Sequence, residues 1–128
     1  MPDKITESSI AWLLMAIHFA APEESDGEVP EAYHKMISPD DVLMKKYKNV
    51  LAIIFMGDFI NRAIFTQDEL IYGIEFLLDN GFIENREGFL ITTEKFLLAY
   101  NETAKKMKYK KKRMSLEVIR QLIREKSK

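Results

Sequence analysis

Residues 65–93 read FTQDELIYGIEFLLDNGFIENREGFLITT, and each boundary inside them carries a physical signal. Thr66 followed by Glu69 predicts a capping box, in which the threonine hydroxyl accepts from the amide of Glu69 and the carboxylate accepts from the amide of Thr66. Phe65 and Leu70 add a hydrophobic staple. Leu70, Ile71, Ile74, Leu77 and Leu78 recur at helical spacing, so that stripe is expected to be buried. Gly81 supplies the left-handed conformation that closes a helix. Phe82–Ile83 and Phe89–Ile91 then read as short strands around the polar turn Asn85-Arg86-Glu87-Gly88, and Thr92 or Thr93 can cap another helix. The stretch therefore predicts a mainly α fold with a small β-hairpin, an α+β class.

Outward toward the N-terminus, Asp58, Asn61 and Arg62 form the one compact polar group on an apolar segment. Their spacing suits an i, i+4 pair between Asp58 and Arg62 with Asn61 closing a helix. Gly57 weakens that helix near its end without stopping it. Before it, Ser38-Pro39-Asp40-Asp41 is a helix start, with a serine cap, proline where its missing amide costs nothing, and acids on the positive end of the dipole. The helix it opens runs through Val42 to Tyr47, and its continuity through Val50, Leu51, Ile54 and Phe55 is left open by the sequence. Residues 22–31, PEESDGEVPE, combine two prolines, a glycine and five acids and read as an acidic loop. Thr6 or Ser8 starts a first helix carrying Ile10, Trp12, Leu13, Leu14, Met15, Ile17 and Phe19, ended by Pro22. It is apolar most of the way round. Such a helix needs cover on several sides, from other segments of the chain or from a second subunit.

Charge divides the molecule. The formal net charge of −1 conceals net +8 in residues 101–128 against net −9 in the residues before them. The 128 residues, 47% hydrophobic, can bury one core. The expected organisation is one domain over 1–104, with an insertion at about 22–46, followed by a basic amphipathic helical extension over 105–128. Within that extension Ser115 can cap a last helix with Leu116, Val118, Ile119, Leu122 and Ile123 on one side, to pack on the first helix or pair across a homodimer. No cysteine is present, no apolar run approaches a membrane span, and the N-terminus lacks a signal-peptide pattern; a cytoplasmic protein without a membrane partner is expected.

The run WLLMAI at 12–17, GDFINRAIFTQDEL at 57–70, LLDNGFIE at 77–84 and LITTEKF at 90–96 together resemble the winged-helix superfamily, over roughly residues 8–100. In particular they resemble small bacterial winged-helix proteins of uncharacterised role, which share an Asp-x-x-Asn-(Arg/His)-Ala-x-x-Thr segment leading into the helix after the turn. The resemblance implies a first helix over 8–21, a second ending near Asn61, a third over 66–80 and a wing over 82–91. The insertion at about 22–46 and the basic extension depart from that pattern.

Many winged-helix proteins read DNA with the third helix, which then presents Arg, Lys, Asn, Gln or Ser to the duplex. Here residues 67–79 carry Asp68, Glu69, Glu75 and Asp79 and no base, so the helix repels a polyanion. A protein partner suits it better, and Glu69, Tyr72 and Phe76 are its candidate contacts, an aromatic pair rimmed with acid; the competing reading packs both rings beneath the insertion or the tail. The case for nucleic acid rests on the run KKMKYKKKR, with Lys105, Lys106, Lys108, Lys110, Lys111, Lys112 and Arg113, joined by Arg86 of the wing. Against it, such runs are commonly solvated helix faces or complement the acidic body of the same protein or a twin. The two histidines, His18 and His34, have no ligand spacing for a metal, and no nucleophile motif or phosphate-binding glycine loop occurs. No catalytic, cofactor or metal residues are assigned. The expected function is non-enzymatic: a regulatory or protein-interaction module, with a DNA-binding regulator using the basic segment and the wing as the alternative.

Overall fold

Thr6 accepts a hydrogen bond from the amide of Ser9 at 3.2 Å and so opens α1 (Glu7–Ala20), the helix about which the others gather. A computed structural model of the protein describes residues 6–20 and 42–126. The acidic stretch 22–31, His34 and the helix start at Ser38 to Asp41 lie outside the described residues. After α1 come α2 (Val42–Lys46), α3 (Val50–Asn61), α4 (Gln67–Asp79), the strands β1 (Ile83–Arg86) and β2 (Phe89–Thr92), α5 (Glu94–Lys106) and α6 (Leu116–Lys126). The fold is mostly helical with one two-stranded antiparallel hairpin.

Every residue from Ile10 to Ile17 is buried, which fits the all-round apolar sequence of α1. The cover comes from within the chain: α1 packs against α3, α4, α6 and β2. Phe19 is the exception, an apolar residue of this helix left exposed. The Trp12 ring stacks on Phe65 with centroids 3.8 Å apart, and its indole N–H donates to the carbonyl of Gly57 at 2.8 Å. Gly57 is required there, because a Cβ would fall 2.3 Å from Phe65 Cε2.

The open question between residues 46 and 50 resolves as a break. Tyr47 to Asn49 separate α2 from α3, and this short link ties the hairpin down. The Lys48 amide donates to the Gly88 carbonyl at 2.7 Å, and the buried Asn49 side chain both donates to the carbonyl and accepts from the amide of Leu90, each at 3.0 Å. Asn49 thus satisfies the edge of β2 turned away from β1. α3 ends at Asn61, with Arg62 left-handed and its amide bonded to the Asp58 carbonyl.

The capping box forms as read: Glu69 N donates to Thr66 Oγ1 at 3.1 Å and Thr66 N donates to Glu69 Oε1 at 2.8 Å. The buried face of α4 is rotated from the expected stripe. It consists of Leu70, Gly73, Ile74 and Leu77, because Gly73 admits Leu13 of α1 to the helix backbone, and Ile71 is turned out to solvent. α4 closes in a Schellman motif, with Gly81 N donating to Leu78 O and Phe82 N to Leu77 O. In the hairpin Ile83 pairs with Thr92 and Arg86 with Phe89, so Asn85 and Arg86 belong to β1 and the turn is only Glu87-Gly88. Both turn residues have positive φ, 54° and 93°, the two-residue geometry that follows the twist of paired strands. Of the two candidate threonines, Thr93 caps α5 by accepting from the Phe96 amide.

The basic run leaves the helix after Lys106. α5 stops in a second Schellman motif, in which Lys108 N donates to Lys105 O and Tyr109 N to Ala104 O, with Lys108 in the left-handed position usually given to glycine. Residues 107–115 form a non-helical strap. Beyond it α6 returns to the body and buries Val118, Ile119, Leu122 and Ile123 against α1 and α5. These apolar faces, which the sequence also offers to a homodimer through the first and last helices, are spent inside one chain.

Candidate functional site

Two surfaces of opposite charge remain. The first lies along α4. Gln67, Ile71, Glu75, Leu78 and Asp79 face Leu43, Lys46 and Tyr47 across a groove of about 540 Å³ between α2 and α4. Ile71 is 39% exposed and adjoins Tyr72 at 40%. Asp68, Glu75 and Asp79 are exposed on the same helix, so the α4 side of an apolar floor is rimmed by carboxylates while Lys46 stands on the opposite side.

The expected patch of Glu69, Tyr72 and Phe76 does not stand together as a free surface. Glu69 is held by the capping box and also accepts from Ser9 Oγ at 2.6 Å. Phe76 is half-buried against the core, and only Tyr72 is open to solvent. The i, i+4 arithmetic placed the rings one turn apart correctly, but a one-dimensional stripe does not show which flank faces α2. Ile71 is the residue that reading missed. Its signal was Gly73, whose missing side chain marks the centre of the buried face and leaves Ile71 on the rim.

The second surface is the strap together with the last turn of α5. Lys105, Lys106, Lys108, Lys110, Lys111, Lys112 and Arg113 are all exposed, and none of the seven makes an ion pair among the described residues. The expectation that they complement the acidic body is not met among these residues, where the ion pairs are Arg86 with Glu84, Arg120 with Glu117 and Arg124 with Glu7. Arg86, the basic residue of the hairpin, is thereby engaged with its own strand at 2.7 Å. The strap is fastened: the Tyr109 hydroxyl donates to the Arg113 carbonyl, and Ser115 N donates to the Tyr100 hydroxyl at 2.9 Å. Burial raises the Tyr100 pKa, so that hydroxyl is neutral and able to accept.

His18 is half-buried, with Nδ1 2.9 Å from Thr92 Oγ1 and its ring edge-on to Phe19 and Phe96. Burial lowers its pKa, favouring the neutral ring. No group of three or more His, Asp or Glu side chains among the described residues is arranged to hold a metal ion. No helix among them is long and apolar enough to cross a membrane. Compared with known proteins, the chain matches no family model, no curated protein and no solved structure.

Proposed function

We propose that this chain is a winged-helix protein that acts by binding rather than by catalysis, and that the α4 face with the α2–α4 groove is a protein-contact surface. Support for the scaffold comes from the order of α1, α3, α4 and the hairpin, with the capping box at Thr66 and the stop at Gly81. The observation that carries the contact surface is the exposed edge of α4. Ile71 and Tyr72 are open to solvent beside Asp68, Glu75 and Asp79, with no base on the helix. An acidic rim repels the phosphates of a duplex, and it attracts a segment whose leucines fill the groove while its lysines or arginines meet Glu75 and Asp79. The chemistry fits a basic amphipathic helix of another protein.

A cationic amphipathic peptide of leucine and lysine at helical spacing tests this reading by calorimetric titration. Saturable binding is expected, weakened by Tyr72→Ala, by Ile71→Ala and by the pair Glu75→Gln and Asp79→Asn, and absent for an acidic peptide of the same pattern. Failure to bind, or binding indifferent to all these substitutions, overturns it.

A further inference from the structure

Phe59 is 79% exposed, an aromatic side chain standing almost free on the last turn of α3. The core has no use for it. It borders a groove of about 600 Å³ whose opposite wall is the strap, with Tyr109, Lys111 and Arg113 facing Met15 and Ile60. Tyr109 and Lys111 also line a second concavity of about 450 Å³, which continues past Lys108, Lys110 and Lys112 to Asn101 on α5. Among the described residues no carboxylate lines either hollow. The two share Tyr109 and Lys111 as a common wall, so the strap presents cations to both hollows and the Phe59 ring borders one of them.

Backbone energetics mark the same place. Lys108 has φ of 59°, a conformation that costs a residue with a side chain on the order of 1 kcal/mol and that glycine adopts freely. The matching position at the end of α4 is Gly81. A cation therefore stands where a helix end favours glycine, as Arg62 does at the end of α3.

We propose that the strap and Phe59 form a binding site for single-stranded nucleic acid. This site uses different residues from the α4 surface and stands independently of it. A flexible polyanion can follow the row of ammonium groups, while an unpaired base stacks on the Phe59 ring; this pairing of a cationic groove with an aromatic platform is what sequence-tolerant single-strand binding requires. A duplex satisfies only half of the site, because its bases are stacked on one another and leave Phe59 without a partner. An anionic membrane satisfies it poorly, since the apolar face of α6 that would enter the interface is buried against α1.

Fluorescence anisotropy with a labelled oligothymidylate at low salt tests the proposal on the full chain. Saturable binding is expected, with log K falling against log salt at a slope of about −0.7 per phosphate neutralised. Phe59→Ala removes only an exposed ring, leaves the thermal midpoint unchanged, and is expected to weaken binding about tenfold with the slope retained. The triple substitution Lys110→Gln, Lys111→Gln and Lys112→Gln is expected to reduce the slope by about 2. Absence of binding overturns the proposal, as does equal or tighter binding of a duplex of the same length. It is likewise overturned if Phe59→Ala binds as the parent does, or if vesicles containing phosphatidylserine bind and the oligonucleotide does not.

Discussion

The side-chain amide of Asn49 pairs with the backbone of Leu90 in both directions, donating to its carbonyl and accepting from its amide at 3.0 Å each. One buried side chain does the work of a third strand. Asn49→Ala leaves a buried N–H and a buried carbonyl unpaired, each costing about 1–3 kcal/mol, so the expected loss is about 2–6 kcal/mol. Asn49→Asp is expected to be comparably severe, because a carboxylate then faces the Leu90 carbonyl. Urea denaturation measures both losses, and amide exchange at Leu90 should accelerate more in Asn49→Ala than exchange in α6.

Gly73 lets α1 approach α4, since a Cβ at that position would sit 2.4 Å from Leu13 Cδ2. Leu13 is fully buried and cannot swing aside. Gly73→Ala gains about 1 kcal/mol of helix propensity, but forcing a methyl into a packed seam costs about 1–3 kcal/mol. A net loss of up to about 2 kcal/mol is expected. In Leu13→Ala the added methyl refills part of the cavity, so the double substitution should cost less than the sum of the two singles; additivity in denaturant melts would contradict the packing described.

The depressed pKa of His18 makes stability depend on pH with a definite sign. At pH above the ordinary histidine value near 6.5 both folded and unfolded chains hold the ring neutral, and the contribution of the site is complete. As pH falls below that value the unfolded chain takes up the proton first, so stability is lost until the lower folded pKa is passed, after which this contribution is flat. His18→Gln keeps a polar partner for Thr92 and removes the titration. Its unfolding free energy should vary less between neutral pH and the mildly acidic range than that of the parent; an unchanged pH profile would place the dependence elsewhere.

What was legible in the sequence is what is decided within one or two helical turns. Thr66, Gly81 and Thr93 act on amides or carbonyls close by in the chain or through their own backbone freedom, so their residue types announce the boundaries. Asn49 gave no such signal, because its partner lies 41 residues away and an asparagine after a helix looks like any turn residue. The stripe on α4 was seen but its centre was misplaced by Ile71, since five apolar positions span more of the helix than α1 covers. The lysine run suits a solvated helix and a strap equally well in one dimension. Only Lys108 in a glycine position decides between them, and no residue type marks that choice. Phe59 was lost for the opposite reason, as one apolar residue among many in α3.

Glu69 illustrates how a residue suited to a binding surface can be consumed by the fold. Its two carboxylate oxygens divide the work: Oε1 accepts from the Thr66 amide and Oε2 from the Ser9 hydroxyl, joining the start of α4 to α1. Glu69→Ala loses both contacts and the capping box, an expected cost of about 1–2 kcal/mol. Glu69→Gln can keep an oxygen on Thr66 and offer its NH2 to Ser9, and should lose less. Ser9→Ala combined with Glu69→Ala should be non-additive, because each removes the same hydrogen bond. The role is tested by pairing stability with binding: Glu69→Gln should leave affinity for the cationic peptide unchanged where Glu75→Gln with Asp79→Asn weakens it. A loss of peptide affinity in Glu69→Gln without a change in thermal midpoint would return this residue to the contact surface.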